Sequence, residues 1–405
     1  MMRFLAVLGL ALGVLVATPL TTPSQAASKA SPITIGYVAP ETGALSAGST
    51  NSQDGAEAFI KAINKQGGYR GHPLQLINED DMSGPTGADA AVNLLISKGV
   101  FAIISNSDFF FTDDRPVEQA GIPVFGGVTD GPEYGEQPFT NMFDIRGDVD
   151  PNNEGLQVQS VPFFKSVGVK NVAGLALGIS ASSIRTVVDF KTALQDQGLQ
   201  MGYENLTVPY GPFDPTADVL QMKTTGVDGM VCSCGTSTFV DFLTTMRAEG
   251  LTNIKSLSWD PPDTSIFDNS TDTAAVKGSY FLTPQPPLTN PQSLLLEKRL
   301  HAVEPSYKVG APPSYTTFEA YLAMTFVYEG LQLTGSANPT QAEFIKHMQT
   351  LKNWTDNGLL PGPIGLNHFG TADSRYCSWF TKVEGTKFVY LNNGKTFCAT
   401  VPSNL

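Results

Sequence analysis

The chain has 405 residues, which suggests two or three domains, and 41% of its residues are hydrophobic, so a large core can form. Only 16% of the residues are charged, a composition that excludes a disordered chain or a coiled coil. The net charge of −13 argues against a nucleic-acid-binding protein, because the phosphates of nucleic acids require a positive protein surface.

The first 26 residues have the pattern of a secretory signal peptide. Arg3 precedes the apolar run FLAVLGLALGVLVA, and the segment ends in Ser24-Gln25-Ala26, a small-x-small cleavage motif. The apolar run is shorter than the roughly 20 residues that a membrane-spanning helix needs. No cysteine lies near the cleavage point, so a lipoprotein anchor is not expected. The sequence predicts export to the periplasm or the exterior, with residues 1–26 removed.

Two series of alternating strand and helix patterns follow. Short apolar runs predict strands, and apolar residues spaced by three and four predict helices. In the first series, strands are predicted at 33–39, 74–80, 101–105 and 123–127, with helices at 54–68 and 87–99. In the second, strands are predicted at 172–177, 229–234, 254–259 and 278–283, with helices around Val187–Leu194 and at 238–250. This alternation predicts an α/β fold with two doubly wound parallel-sheet lobes.

Three turn-rich or proline-rich breaks divide the chain, at 143–153, 283–292 and 359–370. Three breaks indicate that the chain passes between the lobes three times, through a three-segment hinge. The predicted first lobe comprises residues 31–147 and 284–358, and the predicted second lobe comprises residues 148–283 and 359–405.

The chain has four cysteines. Cys377 and Cys398 flank a predicted hairpin whose turn is at Glu384-Gly385, so we predict a disulfide bond between them, as export permits. Cys232 and Cys234 lie in one predicted strand, where a bond between them would be strained, and the sequence leaves open whether they are free. The four histidines are scattered, so no metal site and no cofactor is expected.

The run PETGALSAGSTNSQDGAEAFIKAINKQGGYRGHPLQLINEDD (40–81) resembles the opening of the type I periplasmic binding proteins. The resemblance is to the branched-chain amino-acid and amide-binding branch, which serves ABC importers. It lies in a Thr-Gly turn after the first strand, a helix with Gly-Ala-Glu and Ile-Asn, and a strand ending in two acids. The resemblance implies a small ligand between the lobes, closure on binding and delivery to a membrane permease. A monomer is the default expectation for a protein that must present both lobes to a permease.

The resemblance also implies a site for the ligand's carboxylate just after the third and fourth strands of the first lobe. The matching positions are Ser107, Asp108, Val128 and Thr129. Hydroxyls and backbone N–H groups there suit an anion, although the same residues are common helix N-caps. Asp108 departs from the family's small hydroxyl residue and would repel a carboxylate. Either it caps a helix starting near Asp108 and points away, or the ligand presents a donor to it.

In the second lobe, Trp259 and Asp260 follow the third predicted strand. Asp260 matches the family's ammonium-binding acid, and a Trp beside an acid suits a cation. The alternative is a core Trp followed by an Asp in a turn. The other predicted ligand contacts of this lobe, at the exits of its first two predicted strands, are Ser180, Ser182, Gly235 and Thr236.

Three consecutive aromatic residues, Phe109, Phe110 and Phe111, follow the third strand. On a helix they would face three directions, so we expect one in the core, one under a loop and Phe109 in the cleft. Together with Trp259 and with Tyr37 or Tyr134, Phe109 would give the site an aromatic lining.

These features favour a solute-binding protein whose ligand is an amino acid, an amide or a carboxylate, with aromatic carboxylates as an alternative to amino acids. The sequence lacks a nucleophile elbow, a phosphate-binding loop and a His pair at metal spacing, so no enzymatic activity is expected. A third class is a sensor of the same fold that presents its ligand to a receptor through a partner, since the sequence contains no fused signalling segment.

Overall fold

The computed structural model describes most of the chain after the predicted signal peptide, which lies outside the described residues. The described residues are 30–43, 45–46, 49–110, 113–126, 134, 139–146, 156–209, 211–262, 264–310, 312–366 and 375–401.

The first lobe is built on a five-stranded parallel sheet with the order β2-β1-β3-β4-β5. Its strands are β1 (Ile33–Ala39), β2 (Leu74–Asp80), β3 (Ala102–Ser105), β4 (Val124–Gly126) and β5 (Met142–Asp144). Its helices are α1 (Asp54–Lys65), α2 (Pro85–Ser97), α3 (Asp114–Ala120), α9 (Pro291–Val303), α10 (Tyr315–Thr334) and α11 (Gln341–Met348). The central strands are apolar along most of their length because helices cover both faces of the sheet.

The second lobe is built on an eight-stranded sheet in which β6 to β10 are parallel and the C-terminal strands are antiparallel. The order is β12-β11-β10-β9-β8-β6-β7, and β13 pairs with β11. The strands are β6 (Asn171–Leu177), β7 (Gln200–Val208), β8 (Gly229–Ser233), β9 (Lys255–Ser258), β10 (Tyr280–Thr283), β11 (Arg375–Glu384), β12 (Lys387–Tyr390) and β13 (Phe397–Thr400). The helices are α4 (Ser160–Ser166), α5 (Ala181–Asp196), α6 (Thr216–Thr225), α7 (Thr236–Ala248) and α8 (Ser270–Val276). The fold is the predicted one, with two α/β lobes.

Helix α10 is the centre of the first lobe's core, and most of its residues are buried. It begins after Ser314, whose side chain accepts a hydrogen bond from the Thr317 N–H, and it ends at Gly335 in the left-handed conformation. Helix α1 packs closely against it at Gly55, where an added Cβ would lie 1.9 Å from the Thr317 carbonyl oxygen. Only glycine permits this approach.

The residues around the third predicted break pack against the core of the first lobe. Leu359, Leu360 and Leu366 pack in the same hydrophobic cluster as α10 and β1. They therefore belong to the first lobe, whereas the sequence placed residues 359–405 in the second. The predicted boundary follows a Pro/Gly-rich run, but the leucines around that run bury their side chains against the first core.

Two local predictions were wrong. The segment predicted as a crossover from residue 143 begins with β5, whose three residues pair with β4 and are buried. The helix expected near Asp108 begins at Asp114, and residues 108–109 form a turn. In both places the elements are short, so the pattern on which prediction depends has too few residues to be read.

Candidate functional site

The polar residues after β3 lie at the carboxyl end of the first sheet, where open α/β sheets bind ligands. Asp108 is partly buried, and its nearest charged neighbours come from several elements. Burial, together with the charges of Asp81, Glu319 and Asp260, raises the pKa of Asp108 to about 6, and only Arg146 acts in the opposite direction. Arg146 and Tyr315 of the first lobe and Trp259 and Pro261 of the second line one cavity, so the exits of the two sheets face each other across it. We call the space between them the interlobe cleft.

Ser107 contacts its own lobe. It is 6% exposed, and its hydroxyl oxygen accepts a hydrogen bond from the Phe109 N–H at 3.1 Å. The same hydroxyl approaches the Asp81 carboxyl. Burial raises the pKa of that carboxyl, and the contact with Ser107 lowers it. The predicted ligand contact at Ser107 is therefore engaged with Asp81. Val128 and Thr129, the predicted contacts after β4, lie outside the described residues.

The described aromatic residues near the strand exits of the first lobe differ in burial. Phe110 is 2% exposed and packs in the core beside β3, whereas Phe109 is partly exposed. Phe111 lies outside the described residues. Tyr37 and Tyr134 are buried in the first lobe's clusters and do not line the cleft. The Tyr37 hydroxyl donates to Ser52 Oγ at 2.6 Å, so the ring is held in the core.

Asp260 follows β9 and is held by the neighbouring strand exit. Its Oδ2 accepts a hydrogen bond from the Gly235 N–H at 3.0 Å, and the Cys234 N–H donates to the same carboxylate. Burial raises the pKa of Asp260, and these backbone donors partly offset the effect. Gly235 has a φ of 83°, a left-handed backbone that favours glycine, and Thr236 begins α7 directly after it. These contacts bring Gly235, Thr236 and Asp260 together at one edge of the sheet.

Trp259 points away from the cation site predicted for it. Its ring packs edge-on against Phe190 in the second core, with 5.0 Å between the ring centroids. Its Nε1–H donates to Ser160 Oγ at 2.9 Å. The structure therefore supports the alternative of a core Trp followed by an Asp in a turn, because the alternation of a strand sends the two side chains in different directions.

Ser180 is the N-cap of α5. Its side chain accepts a hydrogen bond from the Ser183 N–H at 3.2 Å, which satisfies one of the free donors of the helix. The neighbouring Ser182 lies within α5, and its side chain is outside the described part of the chain. The structure thus gives Ser180 the capping role that small hydroxyl residues often have.

Arg146 is a residue of the site that the sequence reasoning missed. It follows β5, pairs with Glu319 of α10 at 3.2 Å and lies 5.9 Å from the centre of the Tyr315 ring. Arg146 also lines a cavity at the hinge, together with Trp259, Tyr315 and Arg375. The only sequence signal was a charged residue directly after a short apolar run.

Both cysteine pairs are bonded in the structure. Cys377 and Cys398 face each other across β11 and β13 and form a disulfide bond. Cys232 and Cys234, which the sequence left open, are paired as well. The described residues contain no group of His, Cys, Asp and Glu side chains that would hold a metal ion. Of the helices in the described ranges, none has the length and apolar character required to cross a membrane.

Comparison with known proteins identifies relatives along most of the chain. Residues 32–387 match the family model described as periplasmic binding protein. Leu/Ile/Val-binding protein homolog 3 of Brucella melitensis is 24% identical over 200 residues, 48% of this chain and 52% of that protein, so the chain spans about half of that relative's length. Leu/Ile/Val-binding protein homolog 1 of Brucella suis is 23% identical over 363 residues, 85% of this chain and 92% of that protein.

A solved structure shows the same fold. The solute-binding protein of an ABC transporter from R. palustris, in complex with 4-hydroxybenzoate, superimposes with a TM-score of 0.71 at 16% identity, covering 92% of this chain and 98% of that one. The family is a class of binding proteins without enzymatic activity, in agreement with the absence of catalytic motifs from the sequence. The chain belongs to the periplasmic binding protein family, as its opening segment predicted.

Proposed function

We propose that this protein is an exported solute-binding protein of an ABC importer, which captures a small organic ligand in the interlobe cleft and delivers it to a membrane permease. The lobes close on the ligand as a hinge, and the protein acts as a monomer. Residues 1–26 direct export and are then removed.

The observation that carries the proposal is the arrangement of the two sheets. Asp108 and Asp260 follow parallel strands of different lobes, and residues of both lobes, Arg146 and Tyr315 from the first and Trp259 from the second, line one cavity between them. A three-segment hinge, which the three breaks in the sequence predict, would let the lobes move as bodies. A relative is named as a Leu/Ile/Val-binding protein homolog, and a protein of the same fold was solved with 4-hydroxybenzoate. The ligand classes that we propose to test are therefore amino acids and aromatic carboxylates.

The test uses the mature protein, unfolded and refolded to remove any ligand that is purified with it. Amino acids, short amides and benzoate-type acids are added one at a time. A ligand that binds only the native state must raise the melting temperature. The same ligand should reduce the radius of gyration measured by X-ray scattering, because the lobes close around it.

Two outcomes would contradict parts of the proposal separately. A protein whose melting temperature responds to no small molecule is not a solute-binding protein of this kind. If a ligand raises the melting temperature while the radius of gyration stays constant, the proposed binding role is retained and the proposed hinge closure is contradicted.

A further inference from the structure

A second cavity lies in the second lobe, at the opposite end of its sheet from the interlobe cleft. It has a volume of about 250 Å³ and lies where β9 and β10 begin and where α7 and α8 end. Lys255 is the first residue of β9 and lines this cavity, whereas Asp260 follows the other end of the strand, towards the cleft. A molecule in this cavity would therefore not compete with a ligand in the cleft.

Four basic side chains line this cavity, which we call the basic pocket: Arg247, Lys255, Lys277 and Lys382. In the described part of the chain, no Asp or Glu lines it. The four cations come from α7, the start of β9, the end of α8 and β11, so the fold brings them together and their places in the sequence do not. Such a group is contrary to the charge of the whole chain, which is −13.

The lysines of the basic pocket have little to neutralise them. Lys382 lies 3.7 Å from Glu384, but both side chains are exposed, and an exposed ion pair of this kind contributes little. Within the described ranges, the ammonium groups of Lys255 and Lys277 have neither an ion-pair partner nor a hydrogen-bond acceptor. Like charges gathered in a concave surface repel one another, and an anion between them would remove that repulsion.

Arg247 is held in place by its own lobe. Its Nη2 group donates to the carbonyl oxygens of Ala275 and Lys277, each at 2.8 Å, and its Nε–H donates to the Ala275 oxygen at 3.1 Å. These bonds satisfy carbonyls at the end of α8 and fix the guanidinium at the wall of the pocket. A side chain that is already ordered loses little conformational entropy when it contacts an anion.

We propose that the basic pocket binds an organic phosphate, whose phosphoryl oxygens contact Arg247, Lys255, Lys277 and Lys382. This inference goes beyond the proposed function, because it concerns a second site of the same lobe.

The number and directions of the cations favour a phosphate over a carboxylate. A carboxylate has two oxygens in one plane, which a single guanidinium can satisfy, whereas phosphoryl oxygens point in several directions and carry more charge. Leu251, Ile254 and Tyr280 line the remainder of the pocket, which suits the organic part of a phosphate ester. A free phosphate ester and the headgroup of an anionic phospholipid present the same chemistry, and the test distinguishes these two sources.

Calorimetric titration of the mature protein at pH 8 and low ionic strength measures binding of glycerol 3-phosphate, glycerate and glycerol. We expect glycerol 3-phosphate to bind, glycerate to bind at least about tenfold more weakly and glycerol not to bind. Sedimentation with phosphatidylglycerol vesicles tests the lipid source, with phosphatidylcholine vesicles as the control without net charge. Added salt should weaken either interaction, because it screens the charges.

Substitutions then locate the site. The double variant Lys255→Gln/Lys277→Gln should weaken phosphate binding at least about tenfold, because two charge-assisted contacts are lost. The matched control Lys65→Gln/Lys352→Gln removes two exposed lysines of the first lobe and should leave the affinity unchanged.

Two single substitutions sharpen the test. Glu384→Gln removes the acid beside Lys382 and should strengthen phosphate binding about twofold. If the double variant does not fold, Lys277→Gln alone, at an exposed position, should weaken binding about threefold, with Lys65→Gln as its control.

The outcomes identify the source or overturn the proposal. Binding of glycerol 3-phosphate without binding to vesicles supports a free phosphate ester, and binding to phosphatidylglycerol vesicles alone supports a lipid headgroup. The proposal is overturned if neither probe binds, if glycerate binds as tightly as glycerol 3-phosphate, or if the double variant weakens binding no more than its control does. None of these results alters the solute-binding role of the cleft, and a failed ligand panel at the cleft would leave the basic pocket unaffected.

Discussion

Asp108 and Asp260 occupy comparable places in the two lobes, each shortly after a parallel strand and facing the other lobe, but their surroundings differ. Asp260 accepts hydrogen bonds from the backbone N–H groups of Gly235 and Cys234, so its own lobe uses the carboxylate as a structural acceptor. Burial, together with the charges of Asp81 and Glu319, raises the pKa of Asp108, so its charged form destabilises its own lobe. The comparison teaches that an acid at a strand exit can support the fold in one lobe and oppose it in the other, depending on the groups around its carboxylate.

The largest effect is expected where the carboxylate is an acceptor. Asp260→Ala leaves two buried N–H groups without a partner and should lower the free energy of unfolding by about 3 kcal/mol. Asp260→Asn keeps a side-chain oxygen for them and should lower it by much less. Chemical denaturation of the two variants, followed by circular dichroism, gives the difference. Equal losses for Ala and Asn would show that the charge of Asp260, not its role as acceptor, supports the second lobe.

Substitution of Asp108 should change the free energy of unfolding in the opposite direction. Asp108→Asn should raise the free energy of unfolding by about 3 kcal/mol at pH 8, since one pKa unit corresponds to about 1.4 kcal/mol. The pKa of Asp108 is raised from 3.8 to about 6, so the folded protein holds this proton more tightly than the unfolded chain does. The wild type therefore loses this stability as the pH rises through about 6, and the two proteins should converge below pH 3.8.

Unfolding free energies of wild type and Asp108→Asn, measured between pH 4 and pH 8, check this sign. A variant that is less stable than the wild type at pH 8 would show that Asp108 is stabilised by its own lobe, as Asp260 is. The distinction between the two acids would then disappear.

A smaller effect should mark Asp80, one residue before Asp81 but in a different environment. Burial acts to raise its pKa, but hydrogen bonds from Thr42, Met82 and Glu41 lower it overall. The Asp80 carboxylate accepts the Thr42 N–H at 3.1 Å and the Met82 N–H at 2.8 Å, which ties the loops after β1 and β2 together.

Asp80→Asn should lower the free energy of unfolding by about 1 kcal/mol at pH 7. Because the folded pKa is lowered, the contribution of Asp80 is present above the ordinary pKa of 3.8 and is lost as the pH falls through the folded value. The difference from wild type should therefore shrink in acid, the reverse of the behaviour expected of Asp108→Asn. A pH-independent difference would show that the shape of the side chain matters and its charge does not.

The fold could be predicted from the sequence where the periodic segments are long. The pattern that indicates β1, α1 and α10 extends over many residues, and the segment 40–81 identified the family. Strand β5 and the start of α3 were missed because three or four residues are too few to show a hydrophobic periodicity. Strand β7 at the sheet edge was also missed, since much of it is exposed and its composition is mixed.

The site could be predicted only in part, because its properties depend on contacts between distant segments. Position in the chain indicated Asp108 and Asp260 as strand-exit acids, and the charge of Asp260 is one of the factors that raise the pKa of Asp108. The role of Arg146 depends on Glu319, which comes from a helix of another segment, and nothing near Arg146 in the sequence indicates it. Trp259 could not be placed because the direction of a side chain after a strand depends on where the strand ends.

The position of Trp259 provides an optical signal of lobe movement. The chain has three tryptophans. Among the described residues that line the hinge cavity, the tryptophan is Trp259, which lies opposite Arg146 and Tyr315 of the first lobe. Trp354 packs against the first core, and Trp379 donates its Nε1–H to the Gly394 carbonyl within the second lobe. When the lobes move, the polarity around one indole changes while the other two keep their neighbours. The intrinsic fluorescence of the unlabelled protein should therefore report opening and closing in real time.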